Sequence, residues 1–286
     1  VFACGWNRFG QLGLGDNTHR NTFTAAPPLP DGKVAKQVVP GSFHTMILAE
    51  DGMVFACGGN GDGELGLGDN DDRNTFTAVP PLPDDKVTKQ VVPGYSHTMI
   101  LAEDGTVFAC GLNGNGQLGL GDNTHRNTFT AVPPLPDGKV AKQVLPGGWH
   151  TMVLAEDGTV FACGYNEDGR LGLGDYDDRN TFAAVPFFGP DHPDLIPCCS
   201  CMASNTFAVP RNDDLDDAIV QTPLQKDLMA LMVDNHQVVD GDVTLIGSDG
   251  VSVEAHRALL YARCPILVQQ QQQQQQQNQA SSSCSK

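Results

Sequence analysis

The run HTMILAEDGMVFACG, residues 44–58, decides the fold. Two apolar segments, nearly continuous, meet at Asp51-Gly52. Asp-Gly suits the positive φ angles of a tight type I′ hairpin turn. Unbroken apolar character, rather than strict alternation, predicts inner strands covered on both faces. The same arrangement starts again at His97, turning at Asp104-Gly105, and at His150, turning at Asp157-Gly158. A third run, KQVVPG from Lys36, and a fourth, TFTAAP from Thr22, bring each period to four strands. The runs are short and broken by Gly and Pro, which excludes paired-helix solenoids. The expectation is an all-β chain, a β-propeller of four-stranded blades.

Working outward, VFACG occurs at Val1, Val54, Val107 and Val160, always 53 residues apart. The stretch GQLGLGDNTHRNTFTA at Gly10 returns with few changes at Gly63, Gly116 and Gly169. A fixed period of this size marks a repeat array, which is usually a surface that other molecules bind. Copies one and three share NTHRNTFT, and copies two and four share DDRNTF. That pairing points to growth by duplication of a two-repeat unit.

The order GQLGLGD, a Pro-rich run, a G-x-x-HT block, an apolar strand ending in EDG, then V-x-x-x-G-x-N resembles the regulator-of-chromosome-condensation repeat. Residues 1–186 follow it. The resemblance implies a propeller of which this chain would supply about half of a seven-bladed ring. The chain opens on the second half of a blade and then gives three complete strand sets. Sheet edges left unpaired in this way are an aggregation hazard, so a longer parent completing the ring is expected.

Composition narrows the partners. With 34 acidic against 17 basic residues the formal charge is −17, and no Lys/Arg cluster interrupts it. Nucleic acid is therefore not an expected partner. No stretch approaches the ~20 apolar residues that cross a bilayer, so no membrane is expected either. The chain starts at Val1 inside a strand-like motif, without Met or signal peptide, and reads as part of a longer gene product. Four of the nine cysteines, Cys4, Cys57, Cys110 and Cys163, are one repeat position. Equivalent strand positions in successive blades are too far apart for a disulfide. Buried free thiols in a cytoplasmic or nuclear protein fit better.

Within this rigid repetition a few positions change. Trp6 becomes Gly59, Leu112 and Tyr165; Arg8 becomes Gly61, Gly114 and Glu167; Phe9 becomes Asp62, Asn115 and Asp168. Ser42-Phe43 becomes Tyr95-Ser96 and then Gly148-Trp149. Aromatics and Arg in exposed loops are the usual binding anchors. The candidate partner-binding residues are thus Trp6, Arg8, Phe9, Phe43, Tyr95, Trp149, Tyr165 and Arg170. Neutral drift at exposed positions is the alternative.

Motifs that imitate chemistry fail on context. Gly61–Gly66 and Gly114–Gly119 match G-x-G-x-x-G, but neither opens a helix in a βαβ unit, so no cofactor is expected. Asp69-Asn70-Asp71-Asp72 lacks the Gly and distant Glu of a calcium loop. His44, His97 and His150 stand one per blade, where hydrogen bonds that fix the local turn are expected rather than a shared metal. Cys198 and Cys201 have knuckle spacing, with His192 nearby, but a single pair is a weak zinc signal. No catalytic constellation is visible, and no enzyme is expected.

Beyond the repeats the chain divides, by composition, into a linker at 191–222, a segment at 223–268 and a tail at 269–286. The segment has a helical pattern at Leu224, Leu228, Leu231 and Met232. Two strand-like runs around Ser248-Asp249-Gly250 and a helical stretch from Ala255 follow. Asp242-Val243-Thr244 and Ala255-His256-Arg257-Ala258-Leu259-Leu260 resemble the opening of a BTB domain, a truncated α/β unit here. The resemblance assigns the marks to Asp242, His256 and Arg257, and implies self-association and contact with a cullin scaffold. Nine glutamines from Gln269 and a Ser-rich end read as disordered. Together these features predict a non-enzymatic scaffold or adaptor whose propeller binds a protein client; the resemblance places it in ubiquitin ligation. The competing reading is a guanine-nucleotide exchange factor for a small GTPase, though no insertion interrupts the 53-residue period to act as a wedge. An ultraviolet sensor would need clustered tryptophans, and only Trp6 and Trp149 exist.

Overall fold

The computed structural model describes residues 1–189, 192, 195–199, 205–210, 243–246 and 252–255. Three complete blades are four-stranded antiparallel meanders in which neighbours in sequence are neighbours in the sheet. The first contains β3 (Ala35–Pro40), β4 (His44–Ala49), β5 (Val54–Gly58) and β6 (Arg73–Ala78). The second contains β7 (Thr88–Pro93), β8 (His97–Ala102), β9 (Val107–Gly111) and β10 (Arg126–Ala131). The third contains β11 (Ala141–Pro146), β12 (His150–Ala155), β13 (Val160–Gly164) and β14 (Arg179–Ala184). Before them stands a two-stranded sheet of β1 (Phe2–Gly5) and β2 (Arg20–Ala25), the second half of a blade.

Every residue of the two middle strands of each complete blade is buried, as their unbroken apolar character requires. The core lies between blades. Met46, Leu48, Val54 and Leu65 of the first unit pack with Val91, Ile100, Phe108 and Phe129 of the second. The same layer recurs between the second and third. Burying a side chain such as Phe108 is worth about 1.5–3 kcal/mol, so blade-to-blade contact, not the isolated sheet, carries the stability.

The Asp-Gly turns differ from expectation. Ala49 N–H donates to the Met53 carbonyl (2.8 Å) and Gly52 N–H donates to the Ala49 carbonyl (3.1 Å). That closes a three-residue Glu-Asp-Gly loop in which only Gly52 has positive φ (86°), whereas a type I′ turn needs both central residues there. Asp51 is thereby freed for side-chain work. Its carboxylate accepts the Met53 N–H at 3.1 Å and pairs with Lys33 at 2.6 Å. Asp104 with Lys86 and Asp157 with Lys139 repeat the arrangement.

The segment read as a linker also contributes to the fold. β15 (Leu195–Cys198) and β16 (Phe207–Pro210) pair antiparallel. Thr206 bonds the ring of His150 as Thr98 and Thr151 bond the preceding histidines, which marks β15 and β16 as the first half of a fourth blade. The sequence hid it because the motif letters are gone while the strand-forming, apolar character survives. Cys198 and Cys199 are buried there, and the Cys199 thiol donates to the Leu145 carbonyl (3.0 Å). Cys201 lies outside the described residues. Residues 1–213 form one compact unit and 214–286 another. Within the second, β17 (Val243–Ile246) and β18 (Ser252–Ala255) form an antiparallel hairpin, as the two strand-like runs predict. The marks Asp242, His256 and Arg257, the expected helices and the glutamine tail lie outside the described residues.

Candidate functional site

A fixed polar frame positions the variable residues. Asn7, Asn60, Asn113 and Asn166 are fully buried. Each Oδ1 accepts the N–H of a leucine five residues on, and each Nδ2 donates to the carbonyl of Asp16, Asp69, Asp122 or Asp175. One amide thus closes the loop between the third and fourth strands of its blade. The same aspartates pair with Arg20, Arg73, Arg126 and Arg179 at 2.6 Å. These loops contain both G-x-G-x-x-G matches and the Asp69–Asp72 cluster, so glycines and carboxylates alike serve the turn.

The histidines tie blades together rather than fixing a local turn. Thr98 Oγ1 donates to the Glu64 carbonyl (2.7 Å), so it must accept from His44 Nε2 at 2.8 Å. Thr151 does the same between the Gln117 carbonyl and His97. Both rings are therefore held as the Nε2–H tautomer, and Nδ1 finds no hydrogen-bond partner among the described residues. Burial holds the pKa of His44 down to about 3, that of His97 to about 4 and that of His150 to about 3. Among the described residues no group of three or more His, Cys, Asp or Glu could hold a metal ion.

Above this frame the aromatic candidates meet. Trp6 touches Phe9 (centroids 5.5 Å) and Phe43 (5.8 Å); Phe43 touches Tyr95 (4.9 Å). Tyr95 touches Trp149 (6.4 Å), which touches Tyr165 (5.7 Å). All six rings form one arc from the half-blade to the third complete blade, mostly edge to face. Trp6 and Trp149 are exposed, and Phe9, Phe43, Tyr95 and Tyr165 are half-buried. Arg8 is exposed at one end, its guanidinium 6.0 Å from the Phe9 ring.

Arg170 departs from its reading as an exposed anchor. It is buried, chelates Asp168 through Nε (2.7 Å) and Nη2 (2.5 Å), and lies 4.7 Å over the Tyr165 ring. It packs against the Tyr165 end of the arc. Its counterparts Gln11, Glu64 and Gln117 are buried as well. The Gln11 and Gln117 amides and the Glu64 carboxylate accept the N–H two residues back, as in Glu64 to Asp62 (2.9 Å). Burial pushes the Glu64 carboxyl up to about 7. Sequence reading took only Arg170 from this row and missed its three counterparts, although the signal was present: one position reading Gln, Glu, Gln and Arg in otherwise fixed surroundings. His19, stacked on Trp6 at 6.3 Å, was missed too.

The thiols of Cys57, Cys110 and Cys163 are buried and their pKa values raised by it. Cys4, expected to match them, is exposed.

The pattern of the regulator of chromosome condensation (RCC1) repeat matches residues 1–48, 51–101 and 104–154, and a second form of it matches 35–64, 89–117 and 147–170. The chain belongs to the RCC1-repeat family. It is 33% identical over 180 residues to the ultraviolet-B receptor UVR8 of Arabidopsis thaliana, covering 63% of this chain and 40% of the receptor. It is 35% identical to the probable E3 ubiquitin-protein ligase HERC4 of Homo sapiens, over 68% of this chain and 19% of the ligase. It is also 35% identical to the secretion-regulating guanine nucleotide exchange factor of Bos taurus, over 57% and 35%. The chain thus spans less than half the length of each. Among solved structures it resembles human WBSCR16 (TM-score 0.65, 22% identity, 74% of this chain and 53% of that one). It likewise resembles yeast RCC1 (Prp20) bound to Kap60 (TM-score 0.60, 20% identity, 82% and 53%). At these identities the likeness establishes the propeller fold.

Proposed function

We propose that this chain is a non-enzymatic interaction scaffold that holds a partner protein on the aromatic arc. The observation that carries this reading is the continuity of the arc. Six rings from five different strand junctions touch in series, all at positions that vary while the frame beneath them repeats. Drift at exposed sites gives no reason for variable positions to collect aromatics that join. Rigid aromatic surface fixed on a packed scaffold suits partner recognition, because little side-chain freedom is lost on binding.

In the adaptor form of this reading, residues 223–268 act as a BTB-type unit that self-associates or engages a cullin. The hairpin of β17 and β18 supports it, standing where the resemblance to a BTB opening has its first strands. Exchange activity toward a small GTPase is the competing reading, favoured by the name of the Bos taurus relative. Its weakness is the uninterrupted 53-residue period.

The test uses proteins retained by the immobilised chain, each purified and titrated against the parent and against Phe43→Ala and Trp149→Ala. A true partner loses at least ~2 kcal/mol of affinity on truncation of a central anchor, while the melting temperature stays within a few degrees. Equal binding by all three chains refutes the arc. Accelerated nucleotide release from a panel of small GTPases supports the exchange-factor reading instead.

A further inference from the structure

The buried frame asparagines share one environment but are followed by different residues. Asn7 precedes Arg8 and Asn166 precedes Glu167, whereas Asn60 precedes Gly61 and Asn113 precedes Gly114. In an Asn-Gly pair the side-chain amide is most open to attack by the next backbone nitrogen, because glycine has no Cβ to shield that nitrogen. The fold does not demand glycine at either place. Neither Gly61 nor Gly114 has a positive φ. An added Cβ would meet nothing within 4 Å at Gly61, and only His125 Nε2, at 4.0 Å, at Gly114. Gly63 and Gly116 differ: with φ of 85° and 80°, and backbone atoms 2.5 and 2.4 Å from an added Cβ, they must be glycine.

In the closed loop both amides are held away from this reaction. Asn60 Oδ1 accepts the Leu65 N–H (2.9 Å), and its Nδ2 donates to the Asp69 carbonyl (2.9 Å) and carboxylate (3.2 Å). Asn113 Oδ1 accepts the Leu118 N–H (3.0 Å), and its Nδ2 donates to the carbonyls of Asp122 (2.9 Å) and Thr124 (3.1 Å). Both side chains are fully buried. With both ends of the amide engaged, Cγ is not free to turn toward the following nitrogen, and solvent base does not reach that nitrogen's proton.

We propose that Asn60-Gly61 and Asn113-Gly114 are sites of spontaneous deamidation, suppressed by the closed loop and exposed when it opens, whose product keeps the loop from closing again. The step balances with water alone. The glycine nitrogen gives its proton to solvent base and bonds to Asn Cγ; the Cγ–Nδ2 bond breaks, and the departing nitrogen takes a proton from solvent and leaves as ammonia. Water then opens the cyclic imide. Cleavage of the new N–Cγ bond gives aspartate, and cleavage of the original main-chain bond gives isoaspartate.

Either product replaces the Nδ2 donor with a carboxylate. At 60 that carboxylate faces the Asp69 carbonyl and carboxylate, and at 113 the Asp122 and Thr124 carbonyls: a buried anion among acceptors. Unfolding of these two blades thus becomes irreversible with time, while the loops of Asn7 and Asn166 keep their amides. Asn115-Gly116, in the same loop as Asn113, is a different case. Asn115 is half-buried, its amide bonds only the Asp178 carboxylate (3.2 Å), and aspartate already stands at its counterparts 62 and 168, so its aspartate form suits the frame.

The test uses the full chain carrying Asn115→Asp, which removes the third Asn-Gly pair. It is held at pH 8 in urea or in native buffer for increasing times, digested and mapped by mass spectrometry. In urea the Asn60 and Asn113 peptides should each gain one dalton, with isoaspartate among the products, while the Asn7 and Asn166 peptides stay unchanged. In native buffer all four should stay unchanged. On dilution from urea, recovery of the near-ultraviolet circular dichroism should fall in step with the deamidated fraction. Gly61→Arg with Gly114→Glu, the residues of the other two copies, should restore that recovery. Asn113→Asp, made directly, should fail to reach the native signal that Asn115→Asp reaches. Equal deamidation of all four asparagines in urea overturns the proposal, as does deamidation as fast in native buffer as in urea. So does a deamidated chain, or an Asn113→Asp chain, that folds as completely as the parent.

Discussion

Acid should unfold this propeller at a pH where its surface carboxylates are still ionised, because three neutral histidines are locked between blades. The sign follows from the direction of each shift. His44, His97 and His150 titrate at about 3, 4 and 3 in the folded chain, against 6.5 for a solvated imidazole. Their contribution is fully present above pH 6.5 and is lost as pH falls toward the folded values, since only the unfolded chain takes up the protons. Glu64 acts oppositely. Raised from 4.5 to about 7, it favours the fold at low pH and penalises it as pH rises through 7. Between pH 6.5 and 4.5 it cancels nearly one histidine's share and leaves about two protons of net uptake on unfolding.

Each net proton is worth about 1.4 kcal/mol per pH unit. The window from pH 6.5 to 4.5 therefore removes about 5 kcal/mol, comparable with the whole stability of many domains. Urea unfolding across this range, followed by near-ultraviolet circular dichroism, measures the loss directly. His97→Gln retains an amide donor toward Thr151 Oγ1 and cannot be protonated, so it should roughly halve the pH dependence whatever it does to stability at pH 7.5. A midpoint that stays constant from pH 6.5 to 4.5, or a His97→Gln slope equal to the parent's, would refute the reasoning.

Glu64→Gln installs the residue found at two equivalent positions and should stabilise the chain at pH 8 by about 2–3 kcal/mol, with little gain at pH 5, by the same urea assay. Asn113→Ala removes the amide that closes its blade's loop and should cost about 2–4 kcal/mol, whereas Asn21→Ala, in the exposed β2, should cost little. Gly119→Ala combines positive φ (70°) with a clash against the Phe182 ring, so it should destabilise by several times the effect of Gly158→Ala, where φ is 88° and the space is open. In native buffer iodoacetamide should label Cys4 quickly and Cys57, Cys110 and Cys163 only on unfolding, as mass spectrometry of the peptides would show.

What could be read from the sequence follows from what repetition reports. Four strands per period, their order and their burial were legible because each strand's apolar pattern occurs several times in register. The aromatic candidates were legible for the complementary reason, that a fixed frame makes variation visible. Contacts between copies were not. Comparing copies shows which letters are constant, but not that His44 reaches Thr98 or that Phe76 closes over Gly13. Each such pair is split across two periods, and both partners look like local features of their own motif. Arg170 was misread for a different reason: its charge suggested solvent, whereas Asp168 and the Tyr165 ring, both within the same period, accommodate it. β15 and β16 were hidden because their strands keep the shape of a blade after losing its letters. Repetition therefore reveals the unit and conceals the joint. In a propeller whose core lies between blades, stability and acid response belong to the joint.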